Sequence, residues 1–357
     1  VNDRAEPTAP PTLYDPDREE LSAMLSGEPA YRVEQLWKGL YERSLPLAEI
    51  TTLPGGLRAH LADRLPPALV ELTRRDADRG ETVKWLWGLH DGAAVETVLM
   101  HYPATSTADE RSTVCVSTQA GCAMGCSFCA TGQAGFTRHL GVGEIVEQVA
   151  RARHEAATAT GAGGARRVSN VVFMGMGEPL ANYDATWAAV HRIHDDMGIG
   201  ARHLTISTVG LTPGIRRLAE GDLPVNLAVS LHAADDALRD ELVPINRRYP
   251  LAELMEACRE YFAATRRRIT FEWALISGVN DRFGDADRLA SLARPLQAHV
   301  NLIPLNPTPG YPVRGSSKNR VHAFARRLRD AGVNVTIRDT RGSDIDAACG
   351  QLSARGR

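Results

Sequence analysis

From Thr113 to Ile337 the chain alternates short runs rich in Val, Ile and Leu with longer stretches of helical apolar spacing, and no other feature restricts the fold as strongly. The runs Thr113–Ser117, Val168–Met174, His203–Ser207, Val225–Leu231, Ile269–Leu275 and Val300–Pro304 read as strands. Gly143–Ala157, Tyr183–Asp196, Leu251–Thr265 and Asp285–Ala293 read as the helices between them, followed by a helix over Asn319–Ala331 and a strand near Val333–Ile337. Strands rich in Val, Ile and Leu, joined by helical crossovers, form a parallel sheet covered by helices. Six repeats are too few to close an eight-stranded barrel and predict an α/β fold, a partial (β/α)6 barrel. In such folds ligands gather at the carboxyl ends of the strands.

Ahead of this region the spacing changes. Residues 1–13 are polar and proline-bearing and read as a disordered tail. Residues 14–81 read as a small N-terminal helical domain, in which Val33, Leu36, Trp37, Leu40 and Tyr41 share one face and the helical spacing runs from Ser22 to Asp76. Residues 82–112 read as a connecting β-ribbon and linker, 113–352 as the barrel domain and 353–357 as a second tail. No apolar stretch suits a membrane span or an export signal, so a cytoplasmic protein without membrane contact is expected, and a monomer. The net charge of −2 announces no polyanionic partner, yet residues 301–357 hold ten basic and four acidic side chains. Clusters such as Arg266-Arg267-Arg268 and Arg326-Arg327 permit phosphate contacts or are solvated helix faces.

Four of the six cysteines fall within fifteen residues: Cys115, Cys122, Cys126 and Cys129. In a reducing compartment such clustering points to metal or redox chemistry rather than to disulfides. The C-x-x-x-C-x-x-C spacing of Cys122, Cys126 and Cys129 lets one loop present three thiolates to a metal centre, with Gly121 and Gly125 easing its turns. Iron–sulfur clusters ordinarily take four cysteines, so three leave one iron open. A zinc site completed by His139 or Cys115 is the alternative.

The triad, with Phe128 just before its third cysteine, resembles the signature of the radical S-adenosylmethionine (SAM) superfamily. That resemblance implies a [4Fe-4S] cluster on Cys122, Cys126 and Cys129, with SAM chelating the open iron and yielding a 5′-deoxyadenosyl radical on reduction. The turn Met174-Gly175-Met176-Gly177-Glu178-Pro179 follows the next predicted strand and suits a SAM-binding loop, Gly177 and Glu178 meeting the methionine ammonium. Later strand ends carry Ser207, then Ser230-Leu231-His232, then Asn306, which become expected SAM contacts; alone, the glycine turn would be a tight loop and His232 a packing residue.

Further stretches narrow the resemblance: Val95-Glu96-Thr97-Val98, Cys115-Val116-Ser117, Gly132-Gln133-Ala134-Gly135-Phe136, Pro244-Ile245-Asn246, Asn301-Leu302-Ile303-Pro304 and Cys349-Gly350-Gln351-Leu352. With the triad they resemble the RlmN family of adenine-C2 RNA methyltransferases, from about Tyr31 to Leu352; Ser207-Thr208-Val209-Gly210 stands where Ser-Thr-Ser-Gly is expected. The resemblance implies that Cys349 takes a methyl group from a first SAM and that a second SAM supplies the radical that activates it. The methylene then joins the adenine, Cys115 releases the product by forming a disulfide with Cys349, and Glu96 acts as general base. Implied partners are 23S rRNA and tRNA, with an electron donor such as flavodoxin. A base modified at carbon must be presented unstacked. The residue-level alternatives are that Cys349 and Cys115 are packing cysteines and Glu96 a surface carboxylate. The functional alternatives are a Cfr-type C8 methyltransferase, another radical SAM class, and a non-enzymatic zinc or RNA-binding protein. Cys258 fits a helix core pattern with Leu254 and Tyr261.

Overall fold

The computed structural model describes residues 11–106, 109–159, 164–306, 308, 310–311, 313–338, 342–348 and 350–352. Its strands are β1 (Val70–Ala77), β2 (Thr82–Gly88), β3 (Ala94–Tyr102), β4 (Arg111–Cys115), β5 (Gln119–Gly121), β6 (Phe136–His139), β7 (Val168–Phe173), β8 (Leu204–Thr208), β9 (Asn226–Ser230), β10 (Ile269–Leu275), β11 (His299–Pro304) and β12 (Asn334–Ile337). Ten of them form one sheet in the order β1-β2-β3-β4-β7-β8-β9-β10-β11-β12, and β5 pairs with β6 in a small ribbon. The first four run antiparallel, and every pairing from β4 to β12 is parallel.

The helices are α1 (Arg18–Met24), α2 (Tyr31–Trp37), α3 (Gly55–Arg64), α4 (Ala130–Ala134), α5 (Val142–Thr158) and α6 (Tyr183–His191), then α7 (Thr212–Ala219), α8 (Asp236–Leu242), α9 (Leu251–Thr265), α10 (Phe283–Ala293) and α11 (Lys318–Asp330). The period of two along the strands decides which face they cover. Val171, Phe173, Leu204, Ile206, Leu227, Val229, Phe271, Trp273, Val300 and Leu302 are all buried in the main core. The opposite face is mixed and largely polar. One row across six strands reads Lys84, Val98, Cys115, Val172, Thr205, Asn226, and another reads Ser230, Glu272, Asn301, Thr336. Ser230 and Glu272 of the polar row line a cavity, so this face of the sheet is the one that meets a ligand.

Several predicted elements match closely. The strand Ile269–Leu275 and the helix Leu251–Thr265 have the expected bounds, and the ribbon over 82–100 appears as β2 and β3. The helical reading of Ser22–Asp76 holds only in part, because Val70–Ala77 is the strand β1. Its side chains are almost all exposed and carry no burial alternation, so its extended form comes from pairing with β2 rather than from its own pattern. Leu36, Trp37, Leu40 and Tyr41 are buried as expected, and Trp37 Nε1 donates to Asp196 Oδ1 at 3.0 Å, fastening the N-terminal helices to the turn after α6. Leu13 is buried and its N–H donates to the Pro66 carbonyl at 3.2 Å, so the packed chain begins inside the expected tail; residues 1–10 and 353–357 of the two tails lie outside the described residues. Among the described residues, no helix is long and apolar enough to cross a membrane. Of the basic clusters, Arg327 is held by Asp287 through bonds of 2.7 and 2.9 Å.

The C-terminal segment returns across the polar side. The Gly342 N–H donates to Asp78 Oδ2 at 3.1 Å, and Lys84 Nζ to the Asp346 carbonyl at 3.1 Å. Further on, the Ala130 N–H donates to the Gly350 carbonyl at 2.8 Å and Thr131 Oγ1 to the Leu352 carbonyl at 2.5 Å. Ile345, Ala347, Ala348, Gln351 and Leu352 are buried, so this segment is packed against the fold.

Candidate active site

The cysteine loop leaves the end of β4 through Ser117, whose backbone is gripped by Gln148 of α5: its N–H donates to Gln148 Oε1 at 2.8 Å and its carbonyl accepts from Nε2 at 3.0 Å. The loop then turns at Gly121, whose φ of +78° and whose proximity to the Gly135 carbonyl exclude a side chain. The Cys122 N–H donates to Gly135 at 2.7 Å, and the Ser127 N–H to the Leu242 carbonyl of α8 at 3.3 Å. Phe128 packs edge-on against His232, ring centres 4.7 Å apart, which pins the loop to the end of β9.

Cys122, Cys126 and Cys129 line one open cavity at the carboxyl ends of the strands, a space of about 1080 Å³ counted together with the solvent at its opening. Burial pushes the Cys122 thiol up to about 12 and the Cys126 thiol well above its ordinary value. Two thiols held this far up ionise when positive charge is supplied, as it is at a metal centre. Among the described residues no three His, Cys, Asp or Glu side chains converge on one metal ion. Three cysteine thiols on the wall of one cavity are nevertheless a donor set that fits a [4Fe-4S] cluster with one iron left open, each thiolate holding a different iron.

The glycine turn after β7 lies beside this loop. The Gly175 N–H donates to the Val116 carbonyl at 3.0 Å, and the Met176 carbonyl accepts from the Thr118 N–H at 2.9 Å. A β-carbon on Gly177, at φ +100°, would stand 2.5 Å from Gln119 Cβ, so only glycine fits where the two loops touch. Glu178 is buried and lines the cavity, and its carboxylate accepts from the Val209 N–H at 2.8 Å and the Leu180 N–H at 3.1 Å. Burial pushes its pKa up to about 7 against these donors. Its carboxylate thus ties the β7 loop to the β8 loop while facing the cavity.

Gly177, Glu178, Ser207, Ser230, His232 and Asn306 all line the cavity with the three thiols. His232, at φ +59°, accepts from the Ala274 N–H on Nδ1 at 3.0 Å; burial, aided by the nearby Arg239 cation, pushes its pKa down to about 3, so it is a neutral imidazole. Leu231 is not at the cavity. Its side chain is in the core, and its carbonyl accepts from Arg239 Nε at 3.1 Å.

Glu96 and Cys115 are buried on the same sheet face as the cavity but are not among its lining residues. Glu96 forms a 2.9 Å ion pair with Lys84, the lysine that also holds the Asp346 carbonyl. The expected methyl carrier Cys349, and with it the expected Cys115–Cys349 disulfide, lies outside the described residues; Gly350 and Leu352 line the cavity.

Sequence reasoning missed three polar groups. Arg239 of α8 is fully buried and donates to four oxygens: Leu231 O, Asn246 Oδ1 at 2.8 Å, Val209 O at 2.6 Å and Ser230 O at 3.4 Å. Burial pushes its pKa down to about 10, which leaves it cationic. It sets the loop ends after β8 and β9, where the expected SAM contacts lie. Glu272 and Arg338 line the cavity wall. The signal for Glu272 was a lone acid in the otherwise apolar run Ile269–Leu275, at the parity opposite to Phe271 and Trp273.

Comparison with known proteins gives a consistent answer. The Radical SAM superfamily model matches residues 116–290. A Chloroflexus aurantiacus protein named "Probable dual-specificity RNA methyltransferase RlmN" is 52% identical over 96% of this chain and 93% of its own length. A Thermobifida fusca protein of the same name is 49% identical over 98% and 96%. The crystal structure of a radical SAM methyltransferase from Sphaerobacter thermophilus superposes with a TM-score of 0.90 at 50% identity, covering 97% of this chain and all of that one.

Proposed function

The chain belongs to the RlmN family of RNA methyltransferases within the radical SAM superfamily, and from that premise we propose that it methylates C2 of an adenosine in 23S rRNA, and in tRNA, through an S-methylated Cys349. The observation that carries this reading is one cavity lined by three cluster-type thiols, a glycine-and-carboxylate turn and the returning residues Gly350 and Leu352. When bound, the cluster and SAM supply the methyl group and the radical that activates it, two SAM molecules being used per turnover.

The remaining work falls to the chain. Glu178, Ser207, Ser230, His232 and Asn306 offer carboxylate, hydroxyl, imidazole and amide groups to the polar ends of SAM around one cavity. The Cys349 thiolate accepts the methyl and later carries the carbon to the base, because adenine C2 has no lone pair with which to attack SAM. Glu96, oriented by Lys84, takes the proton from the ring carbon. Cys115 then attacks the Cys349 sulfur and releases the methylated base as a disulfide forms, and a two-electron reduction from an external donor such as flavodoxin restores both thiols. The enzyme works as a monomer.

The test is anaerobic incubation of reconstituted protein with reductant, labelled SAM and a 23S rRNA fragment. Nucleoside mass spectrometry should find 2-methyladenosine together with 5′-deoxyadenosine. 8-Methyladenosine would move the enzyme to the Cfr-type chemistry, and a methyl group found only on cytosine, ribose or protein would end the proposal.

A further inference from the structure

On the cavity wall, Glu272 of β10 stands between Ser230 of β9 and Asn301 of β11. It is 4% exposed. Its Oε1 accepts from Asn301 Nδ2 at 3.0 Å, and its Oε2 has no hydrogen-bond partner among the described residues. The nearest cation is Arg338, just beyond β12, whose Nη1 is 3.8 Å from Oε2, too far for a hydrogen bond. Burial raises the Glu272 pKa, as expected for a carboxylate short of donors. Native proteins rarely leave a buried carboxylate oxygen unsatisfied, and one that faces a cavity is waiting for a ligand donor.

The pair offers a strong acceptor and a strong donor side by side. Its complement is a ligand edge with an N–H next to a ring-nitrogen lone pair, which is what adenine presents through its 6-amino group and N1 or N7. A nucleotide bound from RNA keeps its sugar and phosphates outside and sends only the base inward, so polar groups on the cavity wall meet the base. Guanine, with a carbonyl at position 6, would set acceptor against acceptor at Oε2. We propose that Glu272 and Arg338 are the adenine-reading subsite of this enzyme, Glu272 accepting from the 6-amino group of the target adenosine and Arg338 donating to the neighbouring ring nitrogen. The inference rests on the RNA-methylation reading and adds to it the residue that selects adenine.

The experiment compares two RNA hairpins that differ only at the target, one carrying adenosine and one purine ribonucleoside, which lacks the 6-amino group. Binding by fluorescence anisotropy and methyl transfer are both measured for wild type and for Glu272→Met. Equilibrium dialysis with labelled SAM is run on both reconstituted proteins. In wild type the purine hairpin should lose about 10- to 100-fold in kcat/KM and bind more weakly, the range for a hydrogen bond to a charged group. In Glu272→Met that ratio should collapse towards one. The ratio is taken within one protein preparation, so any loss of folded material cancels. SAM affinity should change by less than about twofold. Equal use and equal binding of the two hairpins by wild type would overturn the subsite, as would a ratio preserved in Glu272→Met. A collapse of SAM affinity with the hairpin ratio unchanged would give the edge to the adenine of SAM and overturn the assignment to RNA. If wild type discriminates the hairpins in binding but methylates neither, the reaction reading fails and the subsite stands.

Discussion

Removing the Lys84 ammonium tests whether Glu96 is held in place by charge. The two side chains are 9% and 6% exposed and 2.9 Å apart. At that distance, with an effective dielectric constant of about 20, their attraction is about 6 kcal/mol, opposed by the cost of taking both from water. Deleting one partner of such a buried pair leaves the other uncompensated, for a typical loss of about 3–5 kcal/mol. Lys84→Met keeps much of the aliphatic stem, so the loss reads as charge rather than as packing. It also frees the Asp346 carbonyl, which adds about 1 kcal/mol for a lost hydrogen bond. Urea unfolding of wild type, Lys84→Met, Glu96→Gln and the double variant forms a double-mutant cycle. The single lysine variant should lose about 3–5 kcal/mol, and the double variant should be more stable than the sum of the singles by about 2 kcal/mol or more. A Lys84→Met protein within 1 kcal/mol of wild type, or strict additivity, would show that the pair contributes neither stability nor position.

Three further outcomes are expected. Cys126→Ala should abolish bound iron, sulfide and visible absorbance in anaerobically reconstituted protein, while Cys258→Ala, altering a residue buried in the helical core, should keep them. Gly177→Ala should lose SAM binding by equilibrium dialysis and about 2–4 kcal/mol of stability, since its β-carbon meets Gln119 at 2.5 Å from a left-handed backbone. Glu178 has its folded pKa raised from 4.5 to about 7, so the stability linked to its protonation is complete below about pH 4.5 and is lost as pH rises through about 7. Metal-free wild type should therefore gain stability relative to Glu178→Gln as pH falls from 8 to 5, as thermal unfolding at each pH would show; a wild type that gains nothing on the variant, or loses ground to it, as pH falls contradicts it.

The barrel was legible because its strands are buried by period. Ile269–Leu275 and Leu251–Thr265 carry their own patterns and were bounded from sequence alone. Val70–Ala77 was not, because it is an exposed edge strand whose structure is imposed by β2. The cavity residues that came from motifs, from Cys122 to Asn306, are contiguous or fall at strand ends, where a local pattern survives. Arg239 and Glu272 escaped notice because their roles are made by distant partners: a guanidinium meeting Val209 and Leu231, and a carboxylate meeting Asn301 and facing Arg338. Such pairings are written in the topology rather than in any window of the chain. Leu231 shows the opposite limit, since a residue inside a matching motif can still turn its side chain to the core.

Among the described residues, four hydrogen bonds that fasten the stretch from Gly342 to Leu352 to the rest of the fold use a main-chain atom on its own side: the amide of Gly342 and the carbonyls of Asp346, Gly350 and Leu352. Main-chain atoms are common to all residues, so these hydrogen bonds are indifferent to the exposed side chains of the segment and strict about how many residues lie between anchors. Exchanging Asp344, an exposed residue, should be harmless, whereas one inserted residue between Asp346 and Gly350 would throw the anchors out of phase. This end of the molecule is specified by counting rather than by spelling.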